Sequence, residues 1–288
     1  MNYKWFLFLI LLLPSCSRQP ERFTVDVLNS YTPIKNQGQS QTCWAYAMLA
    51  AIETEHIMKG DSVELSVAWV ERMMEQDPQA PPSKRAVAPT LITMIESYGL
   101  VPYYAMPTTD DLPPRWAFMY GAQYTPLEFA HSVCAPNEYV AIGTSEVHPA
   151  YAHYEMESPD NWEHCRLLNV PRDSLLAITE QAVRNHHGAC WEGDITESGF
   201  DWKRGVAKMA LASRLFHSAP PADNHCMAIV GIARDEEGQP YFIMKNSWGT
   251  DNAYGGMLYM SFPYFQAHTL AVVLPRECLY HDLSTFAP

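Results

Sequence analysis

Basic residues are scarce in this chain. Nineteen Lys and Arg stand against 32 Asp and Glu over 288 residues, a formal net charge of −13. The few cations are scattered, so no basic face suited to nucleic acid is expected. A long apolar run is also missing at the N-terminus. Trp5–Leu13 has nine residues, whereas a helix needs roughly 20 to cross a bilayer core. Paired cysteine spacings such as CxxC are absent, and His148, His153, His164 and the doublet His186-His187 lack compact ligand spacing. A metal centre is therefore not expected. There is no Gly-rich phosphate loop, no low-complexity stretch and no internal repeat. No cofactor is implied.

What is present is enough apolar sequence, 48% of the chain, for one large domain or two lobes around a shared cleft. Residues 1–15 read as a signal peptide, with a short basic start through Lys4, the apolar run, then Pro14-Ser15. Cys16 directly after it resembles the lipidated residue of a bacterial lipoprotein, with an ordinary signal cut nearby as the alternative. That resemblance implies export and a membrane partner through a lipid anchor at Cys16, facing the periplasm or at the outer membrane of a Gram-negative bacterium. Residues 16–30 read as a polar tether, and 31–288 as the folded domain.

Within that domain, Trp44, Ala47, Met48, Ala51, Ile52 and Glu55 recur at helical spacing from Cys43, with Gly60 as a stop. Thr90 to Tyr98 predicts a second helix ended by Gly99. Residues 76–89 read as a surface loop and 102–126 as irregular. Pro171 opens a third helix with an apolar face of Leu175, Leu176, Ile178, Thr179, Ala182 and Val183. Beyond residue 224 the pattern turns β-rich: 226–233, 241–245, 257–262 and 269–274 are separated by turn residues, with Asp235-Glu236-Glu237-Gly238 as a hairpin turn. Helices first and strands last predict an α+β fold.

Three segments carry chemistry. Cys43 sits at the start of its helix, where unpaired amides and the positive dipole end favour thiolate. His225 heads a strand in Asn224-His225-Cys226-Met227-Ala228-Ile229-Val230-Gly231. Asn246 leaves a strand into the turn Ser247-Trp248-Gly249. A His takes the thiol proton and later protonates a leaving amine, and an Asn oxygen orients the imidazole. Each segment alone has a bland reading: an inert buried Cys, a structural His, a turn. Chance has no reason to supply all three in this order.

These segments resemble the papain-like cysteine peptidases. Asn36 to Tyr46 is similar to the family's nucleophile motif, and Asn246-Ser247-Trp248-Gly249 to its asparagine motif. The resemblance implies a Cys43–His225–Asn246 triad, with the Gln37 side chain and the Cys43 backbone N–H as oxyanion hole. It further implies that Trp248 shields the His–Asn hydrogen bond. Glu64-Leu65-Ser66 resembles a structural motif after the active-site helix. The implied fold is a two-lobed, papain-like one, with a helical left lobe, an antiparallel β right lobe and the cleft between them. Trp44 and Asn224 are the candidate cleft residues. Peptides are the implied substrates.

Ser40, Tyr98-Gly99-Leu100-Val101-Pro102, Asn169-Val170-Pro171, Trp191-Glu192-Gly193-Asp194 and Gly255–Ser261 resemble the bleomycin hydrolase branch, also called aminopeptidase C, in a short bacterial form. In that branch a C-terminal tail in the cleft confines cleavage to the substrate's first residue, and an insertion helps build a hexamer. Here only 182 residues separate Cys43 from His225, and the tail beyond about Pro275 is short. Aminopeptidase action is expected, with an endopeptidase of the same mechanism or a non-catalytic surface lipoprotein as alternatives; the oligomeric state is open. Cys226 reads as strand packing, with a redox role as the alternative. Most of the other cysteines read as small buried residues.

Overall fold

The structure is a computed structural model that describes residues 20–196, 199–209 and 224–279. Along the chain, β1 (Thr24–Leu28) precedes α1 (Cys43–Met58), α2 (Val67–Gln76) and α3 (Thr90–Tyr98). A hairpin of β2 (Ala117–Met119) and β3 (Ala122–Tyr124) leads to α4 (Pro126–Val133), β4 (Tyr139–Gly143), β5 (His153–Glu155) and β6 (Arg166–Asn169). Then follow α5 (Arg172–Arg184), β7 (Ala189–Gly193), β8 (Phe200–Asp201), β9 (Val206–Ala207), β10 (His225–Arg234) and β11 (Pro240–Lys245). The series closes with β12 (Met257–Ser261), α6 (Phe262–His268) and β13 (Thr269–Pro275).

Eleven strands form one sheet in the order β5-β6-β4-β13-β7-β10-β11-β12-β9-β8, with β1 added against β10. Its centre is antiparallel, as expected; β4·β6 and β12·β9 pair in parallel towards the two edges. The predicted hairpin turn joins β10 to β11, with Gly238 at φ 79 and its N–H donating to the Asp235 carbonyl at 3.0 Å. The fold class is thus the α+β one that the sequence predicts.

Two local readings change, and one helix is added. Thr24–Leu28, read as part of a tether, is a strand, because its backbone finds a free edge on β10. Phe23 anchors it by stacking on Tyr259 at 3.9 Å between centroids. Residues 67–76 form a helix, whose start is capped by the Ser66 hydroxyl accepting from the Trp69 N–H at 3.0 Å. Residues 262–268, placed partly in a strand, form α6 instead. There Ser261 caps the turn and Pro263 occupies its first turn.

One apolar cluster lies between the sheet and α1–α4, and another packs α5 and α6 on the opposite face. Helix α1 runs between the two lobes and is buried on nearly every side from Trp44 to Glu55. It therefore has no single apolar stripe. Gly188, at the entry to β7, faces the Ala51 carbonyl of α1 so closely that a Cβ would collide with it. No helix among the described residues is long and apolar enough to cross a membrane.

A polar clamp holds α1 to the sheet at the end away from Cys43. Glu55, 1% exposed, accepts from the Gly188 N–H at 3.1 Å and from His187 Nδ1 at 3.2 Å. It also pairs with Lys59 at 2.9 Å. Hydrogen bonding to Cys278, then to Glu55, raises the His187 pKa from 6.5 to about 10, against the opposing effect of burial. A raised folded pKa contributes stability that is complete below the unfolded value and is lost as pH rises through the folded one. Unfolding titrations are thus expected to show wild type losing its advantage over His187→Gln between pH 6.5 and about 10. A constant difference across that window would exclude the clamp.

Candidate active site

Cys43 is the first residue of α1, at the helix end that faces the sheet lobe. The turn before it is braced by Glu71, whose Oε1 accepts from the Ser40 hydroxyl at 2.7 Å and the Thr42 hydroxyl at 2.6 Å. His225 opens β10, opposite Gly193 of β7, and is 3% exposed. Asn246 directly follows the last residue of β11, the neighbouring strand. Sheet register therefore sets His225 and Asn246 side by side, and α1 delivers Cys43 to them.

His225 Nε2 lies 2.8 Å from Asn246 Oδ1, which also accepts from the Ser247 N–H at 2.8 Å. An oxygen oriented by a backbone donor accepts only, so Nε2 carries a proton and Nδ1 is left for Cys43. The Trp248 ring covers the imidazole at 4.5 Å between centroids, backed edge-on by Trp202 at 5.3 Å. A hydrogen bond from Cys226, followed by the hydrogen bond and charge of His225, holds the Cys43 thiol well below its usual range, although burial opposes this. The arrangement presents a thiol of lowered pKa beside an imidazole whose Nε2 proton is held by Asn246.

Gln37 is tied to the asparagine loop on both backbone and side chain. Its N–H donates to the Ser247 carbonyl at 2.7 Å, and its Oε1 accepts from the Ser247 hydroxyl at 2.6 Å. Nε2 gives one proton to the Ser40 carbonyl at 2.7 Å. A primary amide has a second N–H, and Gln37 lines the same cleft as Cys43. That cleft has a volume of about 240 Å³.

Asn224 lines the cleft too, held by Asp194 Oδ1 at 2.7 Å and the Ile195 N–H at 2.9 Å. Trp44 does not: it is fully buried in the helical core, with Nε1 donating to the Lys84 carbonyl at 3.0 Å. One residue along a helix turns the side chain by about 100°, away from the face that carries Cys43. Cys16 and the tail 280–288 lie outside the described residues.

Sequence reading missed Arg85 and Asp160. They form a 2.7 Å ion pair on the cleft wall, bridging the loop before α3 to the loop between β5 and β6. No local signal marks such a pair, because its halves are joined only by tertiary packing.

Comparison with known proteins agrees with this architecture. Residues 118–287, more than half of the chain, match the Peptidase C1-like family. His225 and Asn246 fall inside the matched residues; Cys43 lies before them. Viral cathepsin of Epiphyas postvittana nucleopolyhedrovirus is 25% identical over 233 residues, which is 81% of this chain and 56% of that protein. This chain spans about half the length of the curated relatives it matches. Among solved structures, PepW of Lactobacillus rhamnosis HN001 is similar with a TM-score of 0.67 at 17% identity, over 88% of this chain and 82% of PepW. The bromelain protease of Ananas comosus is similar at 0.51 and 18% identity, over 85% of this chain and 93% of bromelain. With the fold, the family match and these relatives in agreement, the chain belongs to the Peptidase C1-like family of papain-like cysteine peptidases.

Proposed function

We propose that this protein is a cysteine peptidase that uses Cys43 as nucleophile, His225 as acid and base, and Asn246 to orient His225. The observation that carries this reading is the 2.8 Å contact of His225 Nε2 with Asn246 Oδ1, which leaves Nδ1 for the thiol. The Cys43 sulfur attacks the scissile carbonyl, and the oxyanion is met by the free N–H of Gln37 Nε2 and the Cys43 backbone N–H. His225 protonates the departing amine, leaving a thioester on Cys43. Water activated by His225 then hydrolyses it. Trp248 keeps water from the His–Asn hydrogen bond.

Within that chemistry we favour an aminopeptidase of the bleomycin hydrolase type over an endopeptidase. A free peptide N-terminus is a cation and needs an anionic anchor. Asp160 is the one acidic side chain among the described residues that line the cleft, and an incoming ammonium would share its carboxylate with Arg85, which holds Oδ2. The decisive comparison is a peptide series with free and N-acetylated first residues. Free peptides are expected to be cleaved and acetylated ones refused, and Asp160→Asn is expected to raise KM for free peptides about tenfold, the loss of one charged contact of about 1.4 kcal/mol, while sparing kcat. Efficient cleavage of the acetylated series would make the enzyme an endopeptidase. The basic start, the nine-residue apolar run and Cys16 support a further proposal, that the protein is exported and lipid-anchored at Cys16 in a Gram-negative bacterium.

A further inference from the structure

None of the six described cysteines is disulfide-bonded. Two of them, Cys43 and Cys226, nonetheless line the cleft, and a third, Cys190, lies in the core behind it. Cys226 follows His225 on β10, so strand alternation turns its side chain to the face that packs on α1. The register places Cys226 opposite Glu192 and Ala228 opposite Cys190, which puts Cys190 and Cys226 on that same face. Cys226 is 2% exposed, yet it reaches the cleft wall beside Cys43 and His225. Cys43 shares the cleft lining with Cys226 and packs against the apolar cluster that holds both Cys226 and Cys190.

The bland reading is that Cys226 is a small apolar filler, and it does sit in the helical core cluster. Packing alone asks for a side chain of that size, for which Ala or Ser serves. It does not ask for a second thiol on the cleft that holds the nucleophile. A thiolate at a cleft is also the group most readily oxidised, and a neighbouring thiol decides whether that oxidation is reversible.

We propose that Cys226 is the resolving thiol of Cys43, so that a hydroperoxide converts the nucleophile into a Cys43–Cys226 disulfide that a dithiol reopens. The Cys43 sulfur attacks the peroxide: an S–O bond forms, the O–O bond breaks and hydroxide leaves. The Cys226 sulfur then displaces the sulfenic hydroxyl. An S–S bond forms, the S–O bond breaks, and the Cys226 proton leaves with the hydroxide as water, passed through His225. In total, two thiols lose two hydrogens and one hydrogen peroxide becomes two waters. The burial that keeps Cys226 protonated also keeps it from competing with Cys43 as a nucleophile. The modification masks Cys43 and spares it from irreversible sulfinic and sulfonic acids.

The test uses the reduced full chain treated with hydrogen peroxide, then mapped by mass spectrometry without reduction. The expected result is a cross-linked pair of peptides carrying Cys43 and Cys226, a thiol titre lower by two per chain, and full recovery of both thiols with dithiothreitol. In Cys226→Ala the same treatment is expected to leave added oxygen on Cys43 that dithiothreitol does not remove. Over-oxidised Cys43 with Cys226 still free in the wild-type chain would overturn the proposal, as would a bridge from Cys226 to Cys190. The wild-type map decides even if the variant does not fold. Because it counts thiols and not turnover, it stands apart from the peptidase reading.

Discussion

Replacing Cys43 with Ala is expected to lower peptide turnover by on the order of 10⁶-fold, to the level that cleft and oxyanion donors sustain alone. The size of the loss follows from what the sulfur does. In the proposed mechanism it forms the bond to the carbonyl, holds the acyl group through the second half-reaction and exchanges its proton with His225. The other thiol among the described residues lining the cleft is Cys226, which burial holds well above its usual range. Stability is expected to change little, within about 0.5 kcal/mol, because Ala suits the first turn of α1 and Cys43 is only partly buried. Initial rates on a free-amine peptide, with a melting curve of the same preparation, read both quantities. Turnover unchanged in a folded Cys43→Ala protein would remove Cys43 from the mechanism.

Glu53→Gln is expected to cost about 3–5 kcal/mol of stability, the usual consequence of leaving a buried charge without its partner. Glu53 lies on α1 at 1% exposure and Lys245 ends β11 at 5%, with Glu53 Oε2 3.9 Å from the ammonium. Thr32 joins the two, bonding to Glu53 and accepting from Lys245 Nζ at 2.7 Å. Glu53 Oε1 also accepts the Leu65 N–H at 2.7 Å and pairs with Lys35 at 3.3 Å. The network therefore fastens the helix of Cys43 to the strand whose next residue is Asn246. Burial already lowers the Lys245 pKa from 10.5 to about 8, with Glu53 opposing the shift. A base whose folded pKa is depressed costs stability below that value, and the cost is relieved as pH rises from the folded to the unfolded pKa. Without Glu53 the folded Lys245 pKa falls further, so the deficit of Glu53→Gln is expected to be largest at acidic pH and to shrink as pH rises towards about 8, where Lys245 loses its proton in the wild type as well. Denaturant midpoints across that range measure it. A midpoint unchanged at pH 7 would show that the pair is not what holds the lobes.

The elements around the proposed triad were legible because their signals are local. The start of α1 at Cys43, the whole of α3 and the paired strands β10 and β11 follow from periodicity and turn residues within a few positions. Where reading failed, a distant partner overrode the local pattern. Thr24–Leu28 is polar enough to pass for a tether and becomes a strand only because β10 offers it an edge. Trp44 looks like a cleft residue beside Cys43, and the turn of the helix takes it into the core. Residues 262–268 continue an apolar run, and the cap at Ser261 makes them a helix.

By itself the sequence determined the residues on which the proposed chemistry rests. The types and order of Gln37, Cys43, His225 and Asn246, with a helix or strand start at two of them, are local properties of the chain. Tertiary structure alone decided what surrounds that chemistry. Arg85 meets Asp160, Glu53 meets Lys245, and Cys226 meets Cys43 across gaps of 75 to 192 residues. A short motif is dictated by backbone geometry within one turn or strand. A contact between distant side chains depends on how whole lobes pack, which no window of sequence contains.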